Sequence, residues 1–258
     1  MLSACSEYGR VLKSGTVDEK YDMAMTMYKK KDFARALPLY EELLAVYRGK
    51  EKSEELYFFY CYCHYYIGEF ELAAYHFNNF TENYYNSKHL EECGYMYLMC
   101  LYGDALPSEL DQTKTNKAIA ETQVFINKYP NTSYMEKCNN LLNELRLTLM
   151  EKSYNNALLY YKLGDYLAAS VAFKNTIKEY PDIKNKGEIE FYILKSNYLY
   201  AKNSVEIKKD ERYQEVFAAF EVFKKNNPET SEFYKEANEI NEKAKQELIK
   251  HQSIKKSK

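Results

Sequence analysis

The chain has no tryptophan, and glycine and proline are scarce, 8 and 5 of 258 residues. Tight turns draw on glycine and proline, so this supply argues against a hairpin-rich β fold and favours helices. No apolar run approaches the roughly 20 residues of a helix that crosses a bilayer. The net charge is −2, which provides no global field to attract nucleic acid or an anionic membrane. Histidine is limited to His64, His76, His89 and His251. No Ser–His–Asp or Cys–His arrangement stands out, and glycine-rich phosphate loops are absent. The expectation is a protein that is not an enzyme, has no cofactor and binds no nucleic acid.

What the chain has instead is tyrosine, 28 residues of it. Tyrosine offers a large rigid face with a polar tip and suits half-exposed binding surfaces. Hydrophobic residues at 46% and charged residues at 29% mark a globular chain rather than a disordered one.

The strongest signal is internal similarity. Four segments superimpose: KKKDFARALPLYEELL, YIGEFELAAYHFNNF, YKLGDYLAASVAFKNTI and KKDERYQEVFAAFEVF. Each has a charged turn and then an aromatic residue: Phe33, Phe70, Tyr166 and Tyr213. Three residues on stands a short side chain, Ala36, Ala73, Ala169 or Val216. Four further on stands another aromatic, Tyr40, Phe77, Phe173 or Phe220. A fifth segment, TNKAIAETQVFINKYP, keeps Ala118 and Phe125. Spacings of three and four put these side chains on one helical face. Tyr129-Pro130, Tyr180-Pro181 and Asn227-Pro228 then stop their helices.

This pattern resembles the tetratricopeptide repeat, a helix–turn–helix unit of about 34 residues. Twelve residues before Ala36, Ala73 and Ala169 stand Ala24, Cys61 and Ala157, all small. Short facing side chains let two helices approach closely, and Cys100 is expected to face Ala118 in the same way. The predicted fold is all-α, an α-solenoid of about five tetratricopeptide-like helix pairs wound into a right-handed superhelical arc. The expected organisation is 1–17 as N-terminus and linker, 18–132 as repeats one to three, 133–250 as repeats four and five with a closing helix, and 251–258 as a basic, solvated tail. YGDALPSELDQTKTN and AKNSVEIKKDER are longer than plain turns and are expected to be loops. Ser133 and Glu136 read as a capping box opening the fourth pair.

The six cysteines are Cys5, Cys61, Cys63, Cys93, Cys100 and Cys138. Cys61-Tyr62-Cys63-His64 looks like half of a metal site, but no second pair accompanies it. On a helix residues 61 and 63 point about 200° apart, so a buried free thiol is the expected state of Cys61, and no metal is expected. Tyr21, Met25 and Tyr28, with Phe58, Tyr62 and Tyr65, are candidates for an aromatic groove that takes an extended peptide. The alternative is that these rings pack one repeat on the next.

The opening Leu2-Ser3-Ala4-Cys5 is similar to the bacterial lipobox. That resemblance implies a thioether-linked diacylglycerol on Cys5 and an acyl chain on its amino group. Several chains at about 0.8 kcal/mol per buried CH₂ make a permanent membrane anchor. The apolar segment of a secretory signal does not precede it, so a start placed at an internal Met, or a trimmed leader, is expected.

A lipobox joined to about five such repeats, several closed by Tyr-Pro, resembles the BamD family of the outer-membrane β-barrel assembly machine. The likeness covers EYGRVLKSGTVDEKYDMAMTMYKKKDFARALPLYEELL, the third repeat with its insertion and following YPNTS, and NNALLYYKLGDYLAASVAFKNTIKEYPD. The family implies a scaffold lipoprotein on the periplasmic face of the outer membrane. Its implied partners are the periplasmic domains of a BamA-like barrel insertase, met by the C-terminal repeats, and unfolded outer-membrane protein peptides, met by the N-terminal ones. The competing reading is another periplasmic repeat lipoprotein that coordinates envelope or peptidoglycan processes. A nutrient-binding repeat lipoprotein needs a longer chain, and a cytosolic adaptor requires that Cys5 be left unprocessed.

Overall fold

The computed structural model describes residues 2–256, with side chains from 7 to 255. Cys5 therefore lies outside the described side chains. Twelve α-helices and no strand occur among the described residues. After α1 (Leu2–Ser14) come five antiparallel pairs: α2 (Val17–Lys29) with α3 (Phe33–Val46), α4 (Ser53–Tyr66) with α5 (Phe70–Asn83), and α6 (Leu90–Gly103) with α7 (Thr113–Lys128). The last two are α8 (Met135–Leu163) with α9 (Tyr166–Glu179), and α10 (Lys186–Lys202) with α11 (Glu206–Asn226). The closing helix is α12 (Tyr234–Lys256). The protein is thus an all-α repeat structure of the solenoid class.

The small residues of each pair reach zero exposure: Ala24 and Ala36, Cys61 and Ala73, Cys100 and Ala118, Ala157 and Ala169. The large aromatics four residues on, Tyr40, Phe77 and Phe173, are equally buried. Close approach at the small positions lets each pair cover the rings that neither helix covers alone. The turns inside the first, second and fourth pairs have one shape. Gly68 and Gly164 adopt φ of +85° and +82°, and the corresponding Lys31 takes φ of 59° despite its side chain. Asp32 and Asp165 then accept hydrogen bonds from the Arg35 and Ala168 amides, capping α3 and α9.

The chain divides into two compact units, Met1–Arg146 and Leu147–Lys258. The division falls within α8 rather than at 132/133. Cys138, Leu141 and Leu145 join the core of the first unit, while Ala157 is buried in that of the second.

Four local expectations differ from the structure. Residues 2–14 form a helix rather than a linker. Tyr8 donates from its hydroxyl to the Arg35 carbonyl at 3.0 Å, and Val11 is buried. The helix α8 begins at Met135, which puts Tyr134 rather than Ser133 at its N-cap position, and a capping box that the structure does show is Thr16 with Glu19, opening α2. Before α8 it is Thr132 that accepts from the Tyr134 amide and donates to Glu91. In the fifth pair only 203–205 form the connection. Glu206 opens α11 and pairs with Lys209 one turn on, so a segment expected as loop is helical. The basic end continues α12, with His251 buried against Glu206 at 2.7 Å. The insertion of the third pair remains irregular. There the buried Gln112 donates to the Pro107 and Leu110 carbonyls at 2.7 and 3.0 Å and accepts from Thr115, so one side chain organises the loop.

Candidate functional site

The cysteines of α4 separate as helix geometry requires. Cys61 joins the core of the second and third pairs, while Cys63 joins that of the first. Burial pushes the Cys63 and Cys100 thiols up to about 12 and raises those of Cys61 and Cys93 as well. Such groups stay protonated at neutral pH and are poor nucleophiles and ligands. No cluster of three or more His, Cys, Asp or Glu side chains suited to a metal ion occurs among the described residues.

His64 and His76 stack at 5.0 Å between α4 and α5. Glu69 accepts from His64 Nδ1 at 2.6 Å, and Tyr57 meets His76 Nδ1 at 3.0 Å. Burial, reinforced by His64, lowers the His76 imidazole to about 4.

The six aromatic-groove candidates pack against neighbouring segments, some across the seam to the next first helix and some within their own pair. Tyr28 on α2 meets Phe59 on α4 at 4.8 Å and Phe33 at 5.3 Å. Phe58 lies 4.2 Å from His89, just before α6. Met25 accepts a hydrogen bond from Tyr40, and Lys52 sits over the Tyr21 ring at 4.9 Å. Tyr65 packs on Phe70 at 5.7 Å. These five are half-buried. Tyr62 differs: it is 9% exposed, packs on Phe77 and donates to Glu92 at 2.6 Å. It is a core residue, because its hydroxyl finds a carboxylate on α6 and its ring fills the seam.

Two open concavities lie elsewhere, each between successive second helices with a first helix as floor. In the first unit α5 and α7 flank α6 around about 370 Å³. Phe70, Tyr75, Tyr97 and Leu101 line it, and Asp104 pairs with Lys114 at 2.7 Å. In the second unit α9 and α11 flank α10 around about 460 Å³ with a largely apolar lining. Sequence reading misses both, because most of their lining, Phe70 and Cys100 apart, stands at positions outside the repeat motif. The one available signal is apolar residues off the motif face, such as Tyr75 and Val222.

No helix among the described residues is long and apolar enough to cross a membrane. The family model "YfiO: Outer membrane lipoprotein" matches residues 13–211. The chain belongs to this family of outer membrane lipoproteins. Among solved structures, the crystal structure of the P58(IPK) TPR domain is similar at 14% identity, with a TM-score of 0.41, over 95% of this chain and 68% of that one. No curated protein matches the sequence.

Proposed function

We propose that this lipoprotein is a non-enzymatic scaffold of the outer-membrane β-barrel assembly machine, held on the periplasmic face by lipid on Cys5. The observation that carries the reading is the family match, which runs through four helix pairs and into the fifth. A stack of helix pairs presents long ridges and grooves suited to protein partners. The C-terminal repeats, 133–250, dock the periplasmic domains of a BamA-like insertase. The half-buried faces of Tyr21, Met25, Tyr28, Phe58 and Tyr65 receive extended segments of unfolded outer-membrane proteins, with main-chain contacts supplying tolerance of sequence.

The test is affinity purification of the tagged protein from detergent-solubilised envelope, followed by mass spectrometry. Recovery of a large outer-membrane β-barrel with periplasmic repeat domains, in near-equal amount, is the expected result. Recovery of peptidoglycan or division proteins without that barrel would overturn the reading in favour of an envelope-coordinating lipoprotein. Cys5→Ser is expected to release the protein from the membrane fraction.

A further inference from the structure

The groove of the second unit has an unusual floor. Ile177, Ile193, Ala219 and Val222 supply apolar surface, and among them stands Glu190, only 4% exposed. Its two carboxylate oxygens each accept one amide, from Asn226 at 2.7 Å and Asn227 at 2.8 Å. No cationic side chain among the described residues pairs with it. Lys174 and Lys186 also line the groove, and neither comes within ion-pair reach of Glu190. Amide donors stabilise a carboxylate without neutralising it, and a buried charge without a counter-ion is costly. A carboxylate offers about four lone-pair sites, of which the asparagines occupy two.

The chain is shaped to hold this arrangement. Helices α3, α5, α7 and α9 all end at a tyrosine, Tyr47, Tyr84, Tyr129 and Tyr180. At the same place α11 ends at Asn227, whose amide also donates to the Phe223 carbonyl. A Cβ at Gly187, one turn before Glu190, would lie 2.2 Å from Asn227 Oδ1. Glycine there leaves room for the asparagine. At the far end, Asn197 donates to the main-chain carbonyl of Glu215 on the groove lining.

We propose that this groove binds a segment of a partner protein that carries an apolar side chain and an arginine one helical turn apart. The apolar side chain seats on Ile193 and Val222, and the guanidinium pairs with Glu190. A guanidinium fits better than an ammonium because its planar fork matches two open lone pairs and it is more weakly hydrated. An acidic segment would meet Lys174 and Lys186 at the cost of bringing like charge toward Glu190. The inference rests on the scaffold reading only in taking the occupant to be a protein. Its test uses purified protein, so its failure is distinct from failure of the envelope purification.

The probe is a fluorescent, end-blocked alanine-rich helical peptide with leucine and arginine four residues apart. Two controls replace arginine with citrulline, its neutral isostere, or with glutamate. Fluorescence anisotropy with the full chain is expected to show the arginine peptide binding at least tenfold more tightly than either control. Glu190→Gln should remove that preference. Ala218→Trp, an exposed position on the groove lining, should block all three peptides while leaving the helical circular dichroism unchanged. Equal affinity of the arginine and citrulline peptides, tighter binding of the glutamate peptide, or binding that survives Ala218→Trp would each overturn the proposal, as would no binding at all.

Discussion

The two grooves occupy the same place in the repeat and differ in chemistry. In the first unit the groove is lined by Tyr75 on α5 and Tyr97 on α6 and carries a rim ion pair, Asp104 with Lys114, that satisfies its own charge. In the second, α9 and α11 hold aliphatic side chains around a buried carboxylate that no cation among the described residues satisfies. Repetition reproduces the backbone concavity because the small residues at the pair seams set the helix spacing. The repeat motif leaves most groove-lining positions free, so each copy assigns them its own chemistry. A repeat array thereby carries different specificities on one backbone.

The sharpest way to break the comparison is to empty equivalent cores. Phe77→Ala and Phe173→Ala each remove a fully buried ring from the corresponding position of its unit. Each is expected to cost about 3–5 kcal/mol, and hydrogen exchange should place the lost protection in the mutated unit. Protection lost equally on both sides of residue 146 in either variant would contradict the division into two units. Asn227→Ala leaves a buried oxygen of Glu190 without its donor and should cost about 1.5–3 kcal/mol in urea denaturation.

A pH difference should separate the units next. The folded His76 imidazole titrates near 4, below its ordinary 6.5. Its neutral, buried state favours folding above pH 6.5, and that contribution is lost as pH falls from 6.5 toward 4, where the unfolded chain binds the proton first. After solvent screening the loss between pH 7 and 5 is about 1–2 kcal/mol. His76→Gln should flatten this dependence, while an unchanged slope would assign the acid sensitivity to other groups. The smallest effect belongs to the rim pair of the first groove. Both partners are partly exposed, so Lys114→Ala should lower stability less than any of the changes above in urea denaturation, and salt should mimic it in the parent protein.

Periodicity was enough to reveal the helix pairs. The small and aromatic positions follow the packing rule of a single repeat, which is local and recurs, so a sequence displays it several times over. The aromatic-groove residues were harder to place. Tyr62 and Tyr65 lie three residues apart on one helix, yet the first is core and the second half-exposed. Which of them is covered depends on α6, contributed by the next repeat. The end of the chain shows the same limit: KHQSIKKSK reads as a tail, and His251 belongs to the structure only because Glu206 and Asp210 on α11 face it.

The sequence by itself determined the helical class, the pairing of helices and the free-thiol state of Cys61, since each follows from side-chain size and the 3.6-residue period along one stretch of chain. Only the tertiary structure decided where these two grooves lie, that Asn226 and Asn227 converge on Glu190 across more than 30 residues, and that no cation among the described residues joins them. Those facts depend on which helices become neighbours, and a period within one helix carries no record of what stands opposite it.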